Sequence, residues 1–292
     1  MKTVWVFPGQ GSQGQGMGAD LVNSEKFAAA SEVLGWSVAE VCQSGNEILG
    51  RTDFTQPCLY VISAVLSDLL KEQGHKPDFV AGHSLGEYSA LYCAGAFDFL
   101  TGLKLVQKRS VLMSGATGGK MAALMGFDRE KLEFLIDQCQ DVVIANDNSG
   151  DQVVISGTAE GVSAVIAQLK PKRSVYLAVS GAFHSPLMAE AAAEFKHFLD
   201  KVEFADLSIP FLSNVHPTSP TQSGKVCHNY LSAQMTAPVR WRELCLHLAE
   251  LGCARVIEVG AGKVLTGLVK RIVPAMGLVN VADRGQVLAL GN

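Results

Sequence analysis

The sequence predicts an α/β fold, a parallel sheet covered by helices with a smaller second domain inserted in it. Three observations lead there. Short runs rich in Val, Ile and Phe alternate with helix-like runs at both ends of this 292-residue chain. Between residues 120 and 179 the order changes to βαββαβ. The chain is 48% apolar and only 18% charged, which suits a compact core and excludes a disordered or fibrous protein.

The elements can be justified in order. TVWVF (3–7) reads as a strand and runs into the glycine-rich stretch 8–18. CLYVISAVLSDLLKEQ (58–73) has helical periodicity and stops at Gly74. KPDFVAG (76–82) is a strand, LGEYSALYCAGAF (85–97) a helix, and 99–116 an amphipathic helix. KMAALMG (120–126) is a strand and 128–139 a helix. DVVIANDN and QVVISG are strands about a Ser-Gly-Asp turn, then come helix 159–169 and strand SVYLAV (174–179). This is the split-βαβ, ferredoxin-like order, and it places an inserted domain at 119–182 inside a main domain of 1–118 and 183–292. Helix 186–199 follows, opened by Ser185 as N-cap and Pro186 at its first position. WRELCLHLAELG (241–252) is a helix, ARVIEVG (254–260) a strand, and AGKVLTGLVKRI (261–272) a helix.

Gly9-Gln10-Gly11-Ser12-Gln13-Gly14 is a literal G-x-G-x-x-G after a strand, which raises a dinucleotide site. That fingerprint needs a second strand about twenty residues on, closed by an acid that holds the ribose. Residues 19–42 read instead as helical or irregular, so the required context is missing. Gly260-Ala261-Gly262-Lys263 lacks the spacer of a phosphate loop.

Net charge is −4, which points to neither nucleic acid nor an anionic membrane. No run is long and apolar enough for a membrane span, and the N-terminus lacks a secretory pattern; a cytoplasmic protein is expected. The seven cysteines are odd in number and widely spaced, with no C-x-x-C pair, so neither a disulfide framework nor a metal site is expected. The ending, VLALGN, has no evident cap, and a continuation into a longer polypeptide stays open.

Gly82-His83-Ser84-Leu85-Gly86 matches G-x-S-x-G between a strand and a helix, the context that a nucleophile elbow demands. The turn lifts the Ser84 hydroxyl above the sheet, and amides at the helix start, that of Leu85 among them, face a developing oxyanion. A serine needs a base. Among seven histidines, His184 follows the strand that closes the insert and precedes Ser185-Pro186. The positive end of a helix should keep it neutral and able to accept a proton. No third carboxylate announces itself. Glu87 is expected to point along its helix, and a backbone carbonyl can orient the imidazole instead.

Arg109 breaks the pattern of its helix. Leu105, Val106, Leu112 and Met113 lie three or four positions away, so the guanidinium shares the apolar face. It pairs there with a structural Asp or Glu, or with a carboxylate that arrives with the substrate.

Phe7-Pro8-Gly9-Gln10-Gly11-Ser12-Gln13, Gly82-His83-Ser84-Leu85-Gly86-Glu87-Tyr88, Arg109 and Gly181-Ala182-Phe183-His184-Ser185 together resemble malonyl-CoA:acyl-carrier-protein transacylases. The likeness extends to Asn146-Asp147-Asn148, Ala94-Gly95-Ala96-Phe97-Asp98-Phe99, Pro238-Val239-Arg240-Trp241 and 258–265, essentially the whole chain. It is greatest to the discrete, trans-acting acyltransferases of polyketide synthases, with a housekeeping fatty-acid enzyme as close alternative. Ser110 departs from the pattern, where many relatives have Gly.

The resemblance implies an α/β-hydrolase-like large domain with the ferredoxin-like insert. It also implies that Ser84 and His184 are catalytic, that Gln10 and Leu85 form the oxyanion hole, and that Arg109 binds the malonyl carboxylate. Gln234 lies near the histidine, oriented by a main-chain carbonyl, and Phe183 selects malonyl over branched groups. The expected partners are malonyl-CoA and an acyl carrier protein, acting on a monomer, with coenzyme A as part of the substrate and no separate cofactor. A proofreading acyl hydrolase and a silent carrier-docking module are the rivals. Lys170, Lys172 and Arg173 offer the carrier a basic face, or are simply solvated.

Overall fold

Val4, Trp5, Val6 and Phe7 are all fully buried, on both faces of their strand. An uninterrupted apolar run of this kind belongs in the middle of a parallel sheet covered on both sides. In the computed structural model, which describes residues 2–290, the chain runs β1 (Lys2–Phe7), α1 (Glu25–Leu34), α2 (Val38–Gln43), α3 (Asn46–Leu49) and α4 (Thr52–Glu72). It continues with β2 (Phe79–Gly82), α5 (Gly86–Ala94), α6 (Phe99–Gly115), β3 (Lys120–Met125), α7 (Arg129–Asp137), β4 (Val142–Ser149) and β5 (Gln152–Gly157). Then come α8 (Ala159–Leu169), β6 (Arg173–Tyr176), a 3-10 turn (Pro186–Met188), α9 (Ala189–Leu199), β7 (Phe211–Leu212) and α10 (Gly224–Gln234). The chain closes with α11 (Trp241–Glu250), β8 (Cys253–Val259), α12 (Val264–Ile272), β9 (Gly277–Val281) and α13 (Arg284–Leu290). Gly291 and Asn292, the end of the uncapped tail, lie outside the described residues.

The large sheet has the order β7-β2-β1-β8-β9, and every pair in it is parallel. Strand β1 sits between β2 and β8, so the connections leave it in opposite directions. That reversal opens a crevice at the carboxyl ends of the strands, where ligands bind in open α/β sheets. Phe7 is level with Gly82, so the glycine-rich loop after β1 and the turn after β2 meet there.

The second sheet, β4-β5-β3-β6, is antiparallel throughout. Helices α7 and α8 cover one face of it, packing Leu132, Val162, Val165 and Leu169 against Ala122, Leu124, Val153 and Ile155. The α/β class, the parallel sheet and the ferredoxin-like insert therefore hold. The insert is joined to the rest by backbone as well as side chains. Asp147 N donates to Val239 O at 2.9 Å and Val239 N to Ala145 O at 2.8 Å. The Asp147 carboxylate accepts from Arg129 at 2.9 Å and from Arg242 at 3.0 Å, which ties β4 to α7 and α11.

Several boundaries move. Helix α4 starts at Thr52, six residues before the periodicity at Cys58 announces it. Pro57 forfeits one helical hydrogen bond there, and the apolar burial of Cys58, Leu59, Val61 and Ile62 on the same helix offsets it. Strand β6 ends at Tyr176, not 179, which leaves Leu177 and Val179 to line a cleft. The helix expected over 186–199 begins as a 3-10 turn, with Ser185 Oγ accepting from Leu187 N at 3.2 Å. Elements β7, α10 and β9 carry no sequence pattern strong enough to announce them. No helix among the described residues is long and apolar enough to cross a membrane.

Candidate active site

The elbow is built by two glycines. A Cβ on Gly82 would lie 1.9 Å from the Gly86 carbonyl carbon, and one on Gly86 would lie 2.0 Å from Phe7 O. Only glycine lets the strand turn into the helix against β1. Ser84 sits between them at φ +50°, a left-handed conformation that costs a serine about 1–3 kcal/mol and needs outside support. Asn214 supplies it. Its Oδ1 accepts from Ser84 N at 2.7 Å, and its Nδ2 donates to Gly82 O at 2.7 Å. The glycine-rich loop after β1 serves the same purpose, because a Cβ on Gly9 would sit 2.4 Å from the His83 carbonyl oxygen. Gly9 lets the two loops touch, and Gly11 and Gly16 take left-handed turns at φ +104° and +86°.

His184 Nε2 lies 2.8 Å from Ser84 Oγ. Its Nδ1 lies 3.0 Å from two carbonyl oxygens, those of Gln234 and Ala237. Carbonyls only accept, so Nδ1 carries the proton and Nε2 is left to receive one from the serine. The imidazole is held neutral, its pKa pushed down to about 3 by burial first and by the Arg109 charge second. The sequence credits the positive end of the following helix, but that segment begins as a 3-10 turn, and burial and the guanidinium account for the shift. His83, next to Ser84, turns away and meets Asn148 Oδ1 at 2.8 Å.

Arg109 is fully buried on α6. One terminal nitrogen donates to Ser84 Oγ at 2.8 Å, the other to Gln56 Oε1 at 2.8 Å, and Nε has no partner. Neither partner is a carboxylate. The guanidinium lies 5.5 Å from the centroid of the Tyr88 ring, and burial lowers its pKa. Of the two readings of this residue, a structural ion pair is not what surrounds it.

The remaining expected residues gather around the same cleft of about 170 Å³, which Gln10, Leu85 and Phe183 line. The amides of Gln10 and Leu85 donate to no protein group among the described residues, whereas those of 84, 86, 87 and 88 are all used. The Gln10 side chain is occupied, donating to Thr52 Oγ1 at 3.0 Å. Gln234 Nε2 donates to Ser84 O at 2.9 Å and to Glu87 Oε2.

Three participants escape the sequence reading. Asn214 follows a two-residue strand and has no local pattern. Gln56 is a polar residue in a buried stretch of α4, a mismatch that the burial pattern could have flagged. The sequence points Glu87 along its helix; it is instead fully buried behind the serine, where Oε1 accepts from Asn214 N at 2.5 Å. The available signal was that α5 holds no other charged residue.

A serine hydroxyl, a neutral base, two free amides and a dry cation around one cleft can open a thioester and hold its acyl group. Comparison with known proteins agrees. The acyl transferase domain family matches residues 4–282. A malonyl CoA-acyl carrier protein transacylase of Synechocystis sp. is 55% identical over 97% of this chain and 98% of its own length. A polyketide biosynthesis malonyl CoA-acyl carrier protein transacylase of Bacillus velezensis is 47% identical over 92% of this chain and 96% of its own. The crystal structure of the malonyl-CoA:ACP transacylase of Synechocystis sp. PCC 6803 superposes with a TM-score of 0.97 at 54% identity, covering 99% of this chain and 100% of that one. A malonyl-transacylase solved with its type II polyketide synthase acyl-carrier protein gives 0.94 at 37% identity, covering 99% and 98%. The large sheet is thereby α/β-hydrolase-like, and the chain belongs to the malonyl-CoA:acyl-carrier-protein transacylase family of acyl transferases.

Proposed function

We propose that this chain moves a malonyl group from malonyl-CoA to the phosphopantetheine thiol of an acyl carrier protein, through an ester on Ser84. One observation carries the reading: Arg109 is buried, has only neutral partners, and donates to the serine hydroxyl itself. A desolvated cation calls for an anion, and an acyl group with a free carboxylate at its far end supplies one.

In the first half-reaction His184 Nε2 takes the Ser84 proton as Oγ attacks the thioester carbonyl. The amides of Leu85 and Gln10 receive the charge that develops on the carbonyl oxygen. The carbonyl re-forms, and coenzyme A leaves as a thiol with the proton that His184 returns. In the second, the carrier's thiol gives its proton to His184 and attacks the ester, and Ser84 recovers its hydroxyl. Gln234 O keeps the imidazole turned to the serine. The Phe183 ring leaves little room for an α-methyl branch, which favours malonyl over methylmalonyl groups.

Supply of polyketide synthases in trans is the pathway proposed, supported by the relative at 47% identity that is named for it. The relative at 55% carries the general transacylase name, so fatty-acid synthesis is the second reading. A hydrolase passing acyl groups to water gains nothing from Arg109. Residues 119–182 form the inserted domain of a monomer whose catalytic domain is 1–118 with 183–292. Its unpaired cysteines fit the reducing cytoplasm.

Intact-mass measurement after mixing with malonyl-CoA, then with a carrier protein bearing a free phosphopantetheine thiol, tests the proposal. A malonyl adduct that persists in buffer and discharges to the carrier is the expected result. Rapid loss to water would select the hydrolase.

A further inference from the structure

Glu87 is a carboxylate with no solvent contact and no place in the steps above, yet both its oxygens are committed. Oε1 accepts from Asn214 N, and the side chain of Asn214 holds Ser84 N and Gly82 O. Oε2 accepts from Gln234 Nε2, which also donates to Ser84 O, and the Gln234 carbonyl faces His184 Nδ1. One acid thus joins the residue that clamps the nucleophile's backbone to the residue that orients the base. Gln234 shows the effect of this arrangement. It turns its NH₂ to two acceptors and leaves Oε1 buried without a partner. Only acceptors on both sides hold an amide in that orientation.

We propose that ionised Glu87 is a positioning residue for the acyl-transfer dyad. Its charge fixes the Gln234 amide and the Asn214 main chain, and through them keeps Ser84 and His184 in register. The inference rests on the malonyl-transfer reading of the site. Protonating the acid, or replacing it by an amide, offers a donor to Gln234, lets that side chain turn over, and releases Ser84 O.

The groups facing the carboxylate are Arg109 on α6, Tyr88 on α5 and Cys227 on α10. Burial pushes its pKa up to about 7, against the pull of the Asn214, Gln234 and Ser213 hydrogen bonds and the Arg109 charge. Loss of its charge therefore falls in a range that can be assayed. His184 is pushed the other way and stays neutral there.

The test is the rate of Ser84 malonylation by malonyl-CoA from pH 5.5 to 8.5, read by rapid-quench intact mass, in the wild type, Glu87→Gln and Glu87→Asp. The same proteins are titrated with phenylmethylsulfonyl fluoride, which engages the serine without a carboxylate for Arg109. Glu87→Gln should lower the maximal acylation rate by about 10–100-fold, as a misplaced base does, with the malonyl-CoA concentration at half-saturation little changed. It should slow the sulfonyl fluoride equally, and the acid limb seen near neutrality in the wild type should vanish. Glu87→Asp, which keeps a charge one methylene short, should be intermediate and retain the limb. A folded Glu87→Gln that acylates at the wild-type rate, or keeps the limb unmoved, overturns the proposal. Should Glu87→Gln fail to fold, wild-type kinetics in Glu87→Asp overturn it instead. A wild type that takes no malonyl group overturns the functional reading, which is a separate result.

Discussion

Ser84 is tied down at both its amide and its carbonyl, by Asn214 and Gln234, while Arg109 hydrogen-bonds only neutral oxygens, those of Ser84 and Gln56, and keeps Nε unpaired. The frame around the proposed nucleophile is committed before substrate arrives; the guanidinium proposed to meet the acyl group keeps a donor for an anion. Catalysis needs the first, because preorganised groups cost no rearrangement in the transition state. Selectivity needs the second, because an unmet charge discriminates between acyl groups far better than shape does.

Substitutions should separate the two. His184→Ala removes the base and should slow acylation by any thioester about 10²–10⁴-fold, as seen in single-turnover rates. Arg109→Met should cut malonylation about 10²-fold and leave acetylation undiminished, since a hydrogen-bonded charge is worth about 1.5–3 kcal/mol. Equal losses on both substrates would erase the distinction. In denaturant titrations the same variant should be neutral or more stable by about 1 kcal/mol, because a buried cation is costly. Asn214→Ala should instead lose about 2–3 kcal/mol, with Ser84 N and Gly82 O left bare.

Acidity offers a milder probe. His184 titrates near 6.5 when unfolded and at about 3 when folded, so its contribution to stability is lost as pH falls through that interval. Glu87 moves from 4.5 to about 7, so its contribution is lost as pH rises through that one. The two slopes, each at most about 1.4 kcal/mol per pH unit, oppose one another between 4.5 and 6.5. Denaturation midpoints should be flat there in the wild type and rise with pH in Glu87→Gln. The smallest effect belongs to Phe183→Val, which should improve methylmalonyl against malonyl transfer by about tenfold.

What could be read from the sequence follows the range over which each feature is encoded. The elbow lies within five residues, and its two glycines, strand and helix are all local. Arg109 stands out through helical spacing alone, because its neighbours three and four positions away are apolar. The site's polar frame is non-local: Asn214 lies 130 residues from the amide that it holds, and Gln234 150 from the carbonyl it meets. No periodicity encodes such pairings. Residue type misled for Glu87, since an acid in a first helical turn ordinarily faces water. Strands β7 and β9 went unread because two and five residues carry too little alternation to register.

The seam where Asp147 grips two arginines, and where the backbone of 145–147 pairs with Val239, has a kinetic consequence. Ties of this kind resist separation of the two walls, so the donor thioester and the acceptor thiol should use the same doorway in turn. Spent coenzyme A must withdraw before the carrier's free thiol can enter, and free coenzyme A should therefore compete with the carrier.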